Sequence, residues 1–156
     1  MKHQPVIYNN RQLRQRLSIW KKRLRLQDWR VDASIVRARE LPGRLAEVAP
    51  NVPRKMAEIK LQDPRDDQKG EPRDMEEDLV HELVHLHYPH VTPLNEKHEA
   101  SPEYALFEQG VELTSLCFVE AYRKIERLEH ELAITRAQLR TAIGGLSGQG
   151  AKDYGT

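Results

Sequence analysis

His81-Glu82-Leu83-Val84-His85 constrains this chain more than any other five residues, because the stretch around it has one regular reading. Leu79, Leu83 and Leu86 fall on one side of an α-helix, and His81 and His85 fall on the other. On such a helix the two histidines differ by about 40° around the axis and roughly one turn along it, so both imidazoles can reach one metal ion. Glu82 lies about 100° around from His81, near enough to reach a bound water without joining the ligands. The helix is expected from about Met75 to Tyr88, where Pro89 stops it. One side is then available for a core and the other for chemistry.

Zinc with an open fourth position needs a third protein ligand. Glu108 and Glu112 stand one turn apart on the next expected helix, and either can supply it. Glu108 is the preferred ligand, with Glu112 accepting an N–H bond from a ligating histidine; the reverse assignment stays open. His98 and Tyr104 are candidate substrate or oxyanion contacts, as are Tyr88 and His90. His87 points away from the histidine pair on a regular helix. Asp78, one turn before His81, either modulates the site or favours the helix start by its charge.

Along the rest of the chain, Leu13, Leu17, Trp20 and Leu24 mark an amphipathic basic helix over residues 9 to 26. Short strands are expected at Trp29 to Val36, Leu45 to Ala49 and Lys55 to Leu61, with turns at Pro42-Gly43 and Asn51-Val52-Pro53. They make a small antiparallel or mixed sheet. Residues 62 to 74 and 89 to 100 read as loops. Ser101-Pro102 resembles an N-cap followed by a first-turn proline, opening a long helix to about residue 143 that Gly144-Gly145 ends. Phe118, Ile125, Leu128, Leu132 and Leu139 leave a heptad-like apolar line on it, interrupted by Thr135. That line can pack on the basic N-terminal helix or on a second copy of the chain. The expected organisation is one α+β domain over residues 1–143 and a disordered tail over 144–156.

These 156 residues suffice for one core without staples. The single cysteine, Cys117, excludes an internal disulfide framework, and its apolar neighbours suggest a buried small hydrophobe. No apolar run is long enough to span a bilayer and no signal core follows the basic N-terminus, which leads to a cytoplasmic expectation without membrane partners. Charge is uneven: residues 1 to 40 hold 11 Lys or Arg against 3 acids, and residues 63 to 112 hold 14 acids against 4 bases. The basic end either docks against the acidic half of the molecule or meets nucleic acid, although no aromatic interleaving marks a base-stacking surface.

The His81-Glu82-x-x-His85 helix followed by Glu108 and Glu112 resembles the gluzincin class of zinc metallopeptidases, especially its small bacterial and phage-type domains. No His-x-x-Gly-x-x-His continuation follows His85, which separates the chain from the metzincins. The resemblance covers residues 29 to 120. It implies a zincin-like fold, a Zn²⁺ cofactor on His81, His85 and Glu108, and Glu112 supporting a ligand histidine. It also implies hydrolysis of a peptide or protein substrate by a metal-activated water, with Glu82 as general base. An extended peptide would pair with the edge strand beside the cleft, for which residues 55 to 61 are the candidate. The competing function is a non-catalytic zincin-fold protein, binding nucleic acid or an assembly partner through its N- and C-terminal helices.

Overall fold

The computed structural model describes residues 5–66, 73–91 and 99–149, with side chains of the last helix described as far as residue 143. The chain divides into two compact units, Met1–Val119 and Glu120–Thr156.

The first helix, α1, runs Asn10–Arg23. Asn9 caps it by accepting from the backbone N–H groups of Arg11 and Gln12, and the Gln12 side chain accepts from the Asn9 N–H in return. Leu13, Leu17 and Trp20 form its buried stripe, and three basic residues, Lys21, Lys22 and Arg23, occupy its last turn, where the helix dipole favours them.

Three strands follow: β1 (Arg30–Val36), β2 (Ala46–Asn51) and β3 (Met56–Gln62). The sheet order is β1-β3-β2, with β3 parallel to β1 and antiparallel to β2. The sheet is therefore mixed, and β3 is its central strand. This corrects the expectation that residues 55 to 61 form an edge. Only four residues separate β2 from β3, so the two close as a hairpin through a tight turn at Val52–Arg54 and a left-handed Lys55 (φ 48°). β3 then runs back between β2 and β1, and both of its edges are paired. Gly43, at the expected Pro42-Gly43 turn, takes a φ of 74° that a side chain would resist.

Register explains the layering. Val31, Ala33 and Ile35 pair with Ala57, Ile59 and Leu61, which pair in turn with Pro50, Val48 and Ala46. All nine side chains lie on one face, and the alternate positions, such as Asp32, Glu58 and Lys60, lie on the other. α1 packs against β1 on the apolar face, and α2 (Met75–His85) packs against β2, β3 and α1. Asp74 caps α2, accepting from Glu76 and Glu77, and Leu79 and Leu83 are fully buried beneath it. Truncating either leucine to alanine should cost about 2–5 kcal/mol. The end of α2 tightens: Leu86, His87 and Tyr88 each donate three residues back, and Pro89 follows.

The long helix α3 spans Pro102–Gln149. Ser101 caps it, its hydroxyl accepting from the Tyr104 N–H at 3.2 Å. It continues past Gly144-Gly145, correcting the expected end there. Glycine inside a helix costs only about 1 kcal/mol relative to alanine and stops it only where the backbone turns left-handed. Cys117 is exposed, not buried, because α3 turns Val111, Ser115 and Val119 inward instead. Among the described residues, no helix is long and apolar enough to cross a membrane.

Candidate metal centre

α2 presents His81 and His85 on one side, as their four-residue spacing requires, and the first turns of α3 bring Glu108 against both. The Nε2 atoms of His81 and His85 are 3.1 Å apart. One Glu108 carboxylate oxygen lies 3.3 Å from the His81 Nε2 and 3.6 Å from the His85 Nε2. Three donor atoms thus form a near-equilateral triangle, and these residues are a group able to hold a metal ion. The dimensions fit a small divalent cation. With metal–ligand distances of about 2.0–2.1 Å, the edge of a tetrahedron is roughly 3.3–3.4 Å. Electrostatics agree, since two imidazole nitrogens and a carboxylate oxygen converging at this distance repel unless a cation or protons sit between them.

Glu112 takes a different position. Its carboxylate accepts from the His81 Nδ1 at 3.0 Å, which leaves the His81 Nε2 lone pair directed into the triangle. Of the two glutamates, Glu108 groups with the two histidines and Glu112 hydrogen-bonds to one of them. The Tyr104 hydroxyl hydrogen-bonds to Glu108 as well.

The ionisation of the group reflects this crowding. Burial opposes a charge on His81, but Glu108, Glu82 and Glu112 outweigh it and raise its pKa. Burial would also raise Glu108, yet its hydrogen bonds with His81, His85 and Tyr104 hold its carboxyl well below the usual range. Glu82 is buried beside the histidines, and desolvation pushes its pKa up to about 7. Both His81 and His85 oppose that rise without cancelling it. Desolvation and the Glu108 bond raise the pKa of Tyr104 too.

The triangle opens into a cavity of about 440 Å³. Glu82, Tyr88 and Tyr104 line it, together with Ala46, Val48 and Pro50 of β2. Leu45 accepts from the Gln62 N–H, so the alternation of a strand turns the peptide groups of Ala46, Val48 and Pro50 away from β3. Pro50, which has no N–H, sits where no ladder bond is lost. β2, rather than β3, is the edge strand beside the cavity.

The expected contacts sort as follows. Tyr104 and Tyr88 line the cavity; His87 and His90 are exposed, and neither lines it. His98 lies outside the described residues. Asp78 turns from the His81–His85–Glu108 triangle toward Arg73, whose guanidinium it binds. Arg73 in turn donates to the Gln62 carbonyl at 2.7 Å and to the Leu45 carbonyl. It thereby ties the start of α2 to the end of the sheet where β2 begins and β3 finishes, away from the hairpin turn.

Three residues escaped the sequence reading. Arg73 looks like one more charge in a charged loop. Phe107 packs its ring against His85 at 5.7 Å between centroids and against Tyr104 and Tyr88, fixing the imidazole from the side. Its one signal was its place beside Glu108 and three residues after Tyr104. Arg44 enters the cavity wall paired with Glu99 at 2.7 Å, a contact across 55 positions with no local signature. Comparison with protein-family models, with characterised proteins and with solved structures finds no match to this chain.

Proposed function

We propose that this chain is a zinc-dependent peptide hydrolase acting on internal bonds of an extended polypeptide. The observation that carries the proposal is the joint arrangement of the His81–His85–Glu108 triangle, the buried Glu82 beside it and an open cavity bordered by an edge strand. His81, His85 and Glu108 would hold the ion, a ligand set that suits zinc. When bound, zinc supplies a Lewis acid for the scissile carbonyl and makes a water acidic enough to attack it near neutral pH.

The chain's own residues supply the rest. Glu82 takes the proton of the attacking water on its carboxylate and passes it to the leaving amine; its burial tunes it for both directions of transfer. Glu112 holds the His81 ring by Nδ1, and Phe107 holds the His85 ring by packing. Tyr104 offers a hydroxyl at the cavity wall, beside Glu108, from which it can donate to charge developing on the carbonyl oxygen. The outward peptide groups of Ala46 and Val48 can pair with an extended substrate, and so hold its backbone along the cavity.

Purified protein should bind about one zinc per chain and cleave an unstructured protein such as casein or a peptide library. Glu82→Gln should retain the zinc and lose activity by roughly 10²–10⁴-fold. Full activity in that variant, or no zinc bound by the wild type, would remove the basis of the proposal.

A further inference from the structure

The second unit contains the C-terminal part of α3, and an apolar line runs along the exposed surface of that helix. Ile125, Leu128, Leu132 and Leu139 are 44 %, 54 %, 50 % and 62 % exposed. Four large aliphatic side chains in line on one helix are a contiguous patch, unlike scattered surface leucines. Their spacing is that of a heptad. Ile125, Leu132 and Leu139 take position a, and Ala121, Leu128, Thr135 and Ala142 take position d, so the seam runs for a little over three heptads.

The flanking charges say what covers this seam. Lys124 and Glu131 occupy position g, and Glu129 and Arg136 occupy position e. In a parallel, in-register pair, each g residue faces the e residue five positions later on the other helix. Lys124 then meets Glu129 of the second copy, and Glu131 meets Arg136 of the second copy. Both contacts join opposite charges and both occur twice by symmetry. An antiparallel pair instead places e against e and g against g. Neither near-full overlap of the seam then matches more than the Glu129–Arg136 pair, and one of them opposes glutamates to each other.

We propose that α3 joins two copies of this chain as a parallel, in-register coiled coil through Ile125, Leu128, Leu132 and Leu139. The pairing is independent of the metal centre, whose residues all precede Glu120. Thr135 puts a hydroxyl in the seam and the terminal d positions are alanines, so the association is concentration-dependent.

Light scattering and sedimentation equilibrium on the full chain test this over a range of micromolar concentrations. The mass should rise toward twice 18.2 kDa. Two charge-swapped variants then test the geometry. In Lys124→Glu/Glu131→Lys every g residue faces its own charge on the other helix, and in Glu129→Lys/Arg136→Glu every e residue does. Each alone should be monomeric, and an equimolar mixture should form a heterodimer, because g of one variant complements e of the other in both directions. Near-UV circular dichroism of the buried Trp20 and Trp29 confirms that each variant is folded. A wild type that stays at monomer mass would overturn the proposal. So would swapped variants that dimerise alone, which is the antiparallel outcome, or a mixture that stays monomeric.

Discussion

The Nε2 atoms of His81 and His85 approach to 3.1 Å, and the Glu108 carboxylate closes the triangle at 3.3 and 3.6 Å. Without a metal, protons must relieve the repulsion among these atoms, and the raised pKa of His81 records that demand. A proton and a bound metal ion would therefore compete for the same lone pair. Zinc affinity should rise with pH through the range where His81 titrates, by up to tenfold per pH unit for each proton displaced. A chelator-competition titration at pH 5.5, 6.5 and 7.5 measures it. A pH-independent affinity would mean that the ion binds elsewhere.

Glu112 meets the candidate site through its bond to His81. Its bond to Nδ1 selects the tautomer with a free Nε2 lone pair and makes that nitrogen more basic. Glu112→Gln should weaken zinc binding about 10–100-fold while preserving one site per chain. Glu108→Gln, which alters the triangle itself, should weaken it more. Equal losses in the two variants would blur the distinction that geometry draws between them.

Glu82 makes a separate prediction for the metal-free protein. Its pKa is raised from 4.5 to about 7 in the fold, chiefly by burial. The folded state therefore holds this proton after the unfolded state has lost it, and stability falls as pH rises from about 4.5 to 7. The ceiling is on the order of 3 kcal/mol, from about 1.4 kcal/mol per pH unit. The raised pKa of His81 has the same sign, since its stabilising charge is lost as pH rises through the folded value. Comparison with Glu82→Gln isolates the carboxyl. In urea denaturation of EDTA-treated protein, the variant should gain on the wild type between pH 5 and pH 8. A constant difference between the two would contradict a buried, proton-holding Glu82.

Much of this arrangement was legible in sequence where spacing along one element sets the geometry. His81, Glu82 and His85 needed only a helix, and Glu108 and Glu112 needed only a second helix one turn long at the right place. The alternation of Ala57, Ile59 and Leu61 announced a half-buried strand, and Ser101-Pro102 announced the start of α3. Strand order was not legible, because β3 presents the same alternation whether it is an edge or a centre. Arg73, Phe107 and Arg44 were missed for a related reason. Each acts on residues from other elements, and no local period records a partner far along the chain. The seam of α3 was legible as a heptad pattern, while its charges at e and g became informative once the helix was seen to be continuous and exposed there.

Arg73 and Asp78 form a largely buried ion pair at the start of the helix that carries His81 and His85. The Arg73 side chain is 5 % exposed and makes its bonds to Asp78 and to the Gln62 and Leu45 carbonyls out of water. Asp78→Asn leaves that guanidinium without its full counter-charge and should destabilise the fold by about 3–5 kcal/mol. Burial of Asp78 raises its pKa, with Arg73 opposing the rise, so the pair is held against a desolvation cost. A combined Arg73→Met/Asp78→Leu variant should recover part of the loss in urea denaturation, because it removes both charges together. No recovery would show that the carbonyl bonds, rather than the charge balance, carry the effect.

Val48 gives the sharpest test of the edge strand. Its peptide group faces away from β3 and its side chain lines the cavity opposite α2. Pro50, two residues on, already shows that this parity tolerates a missing N–H. Val48→Pro should therefore leave the ladder with β3 intact while deleting one donor to an extended substrate. Zinc affinity should stay within about twofold of wild type. The kcat/KM for a peptide should fall by roughly 10-fold, the scale of one lost hydrogen bond of about 1–1.5 kcal/mol. If cleavage is unchanged with the fold intact, the substrate does not run along β2. A Val48→Ala control separates the peptide bond from the side chain, since it trims the cavity wall but keeps the donor.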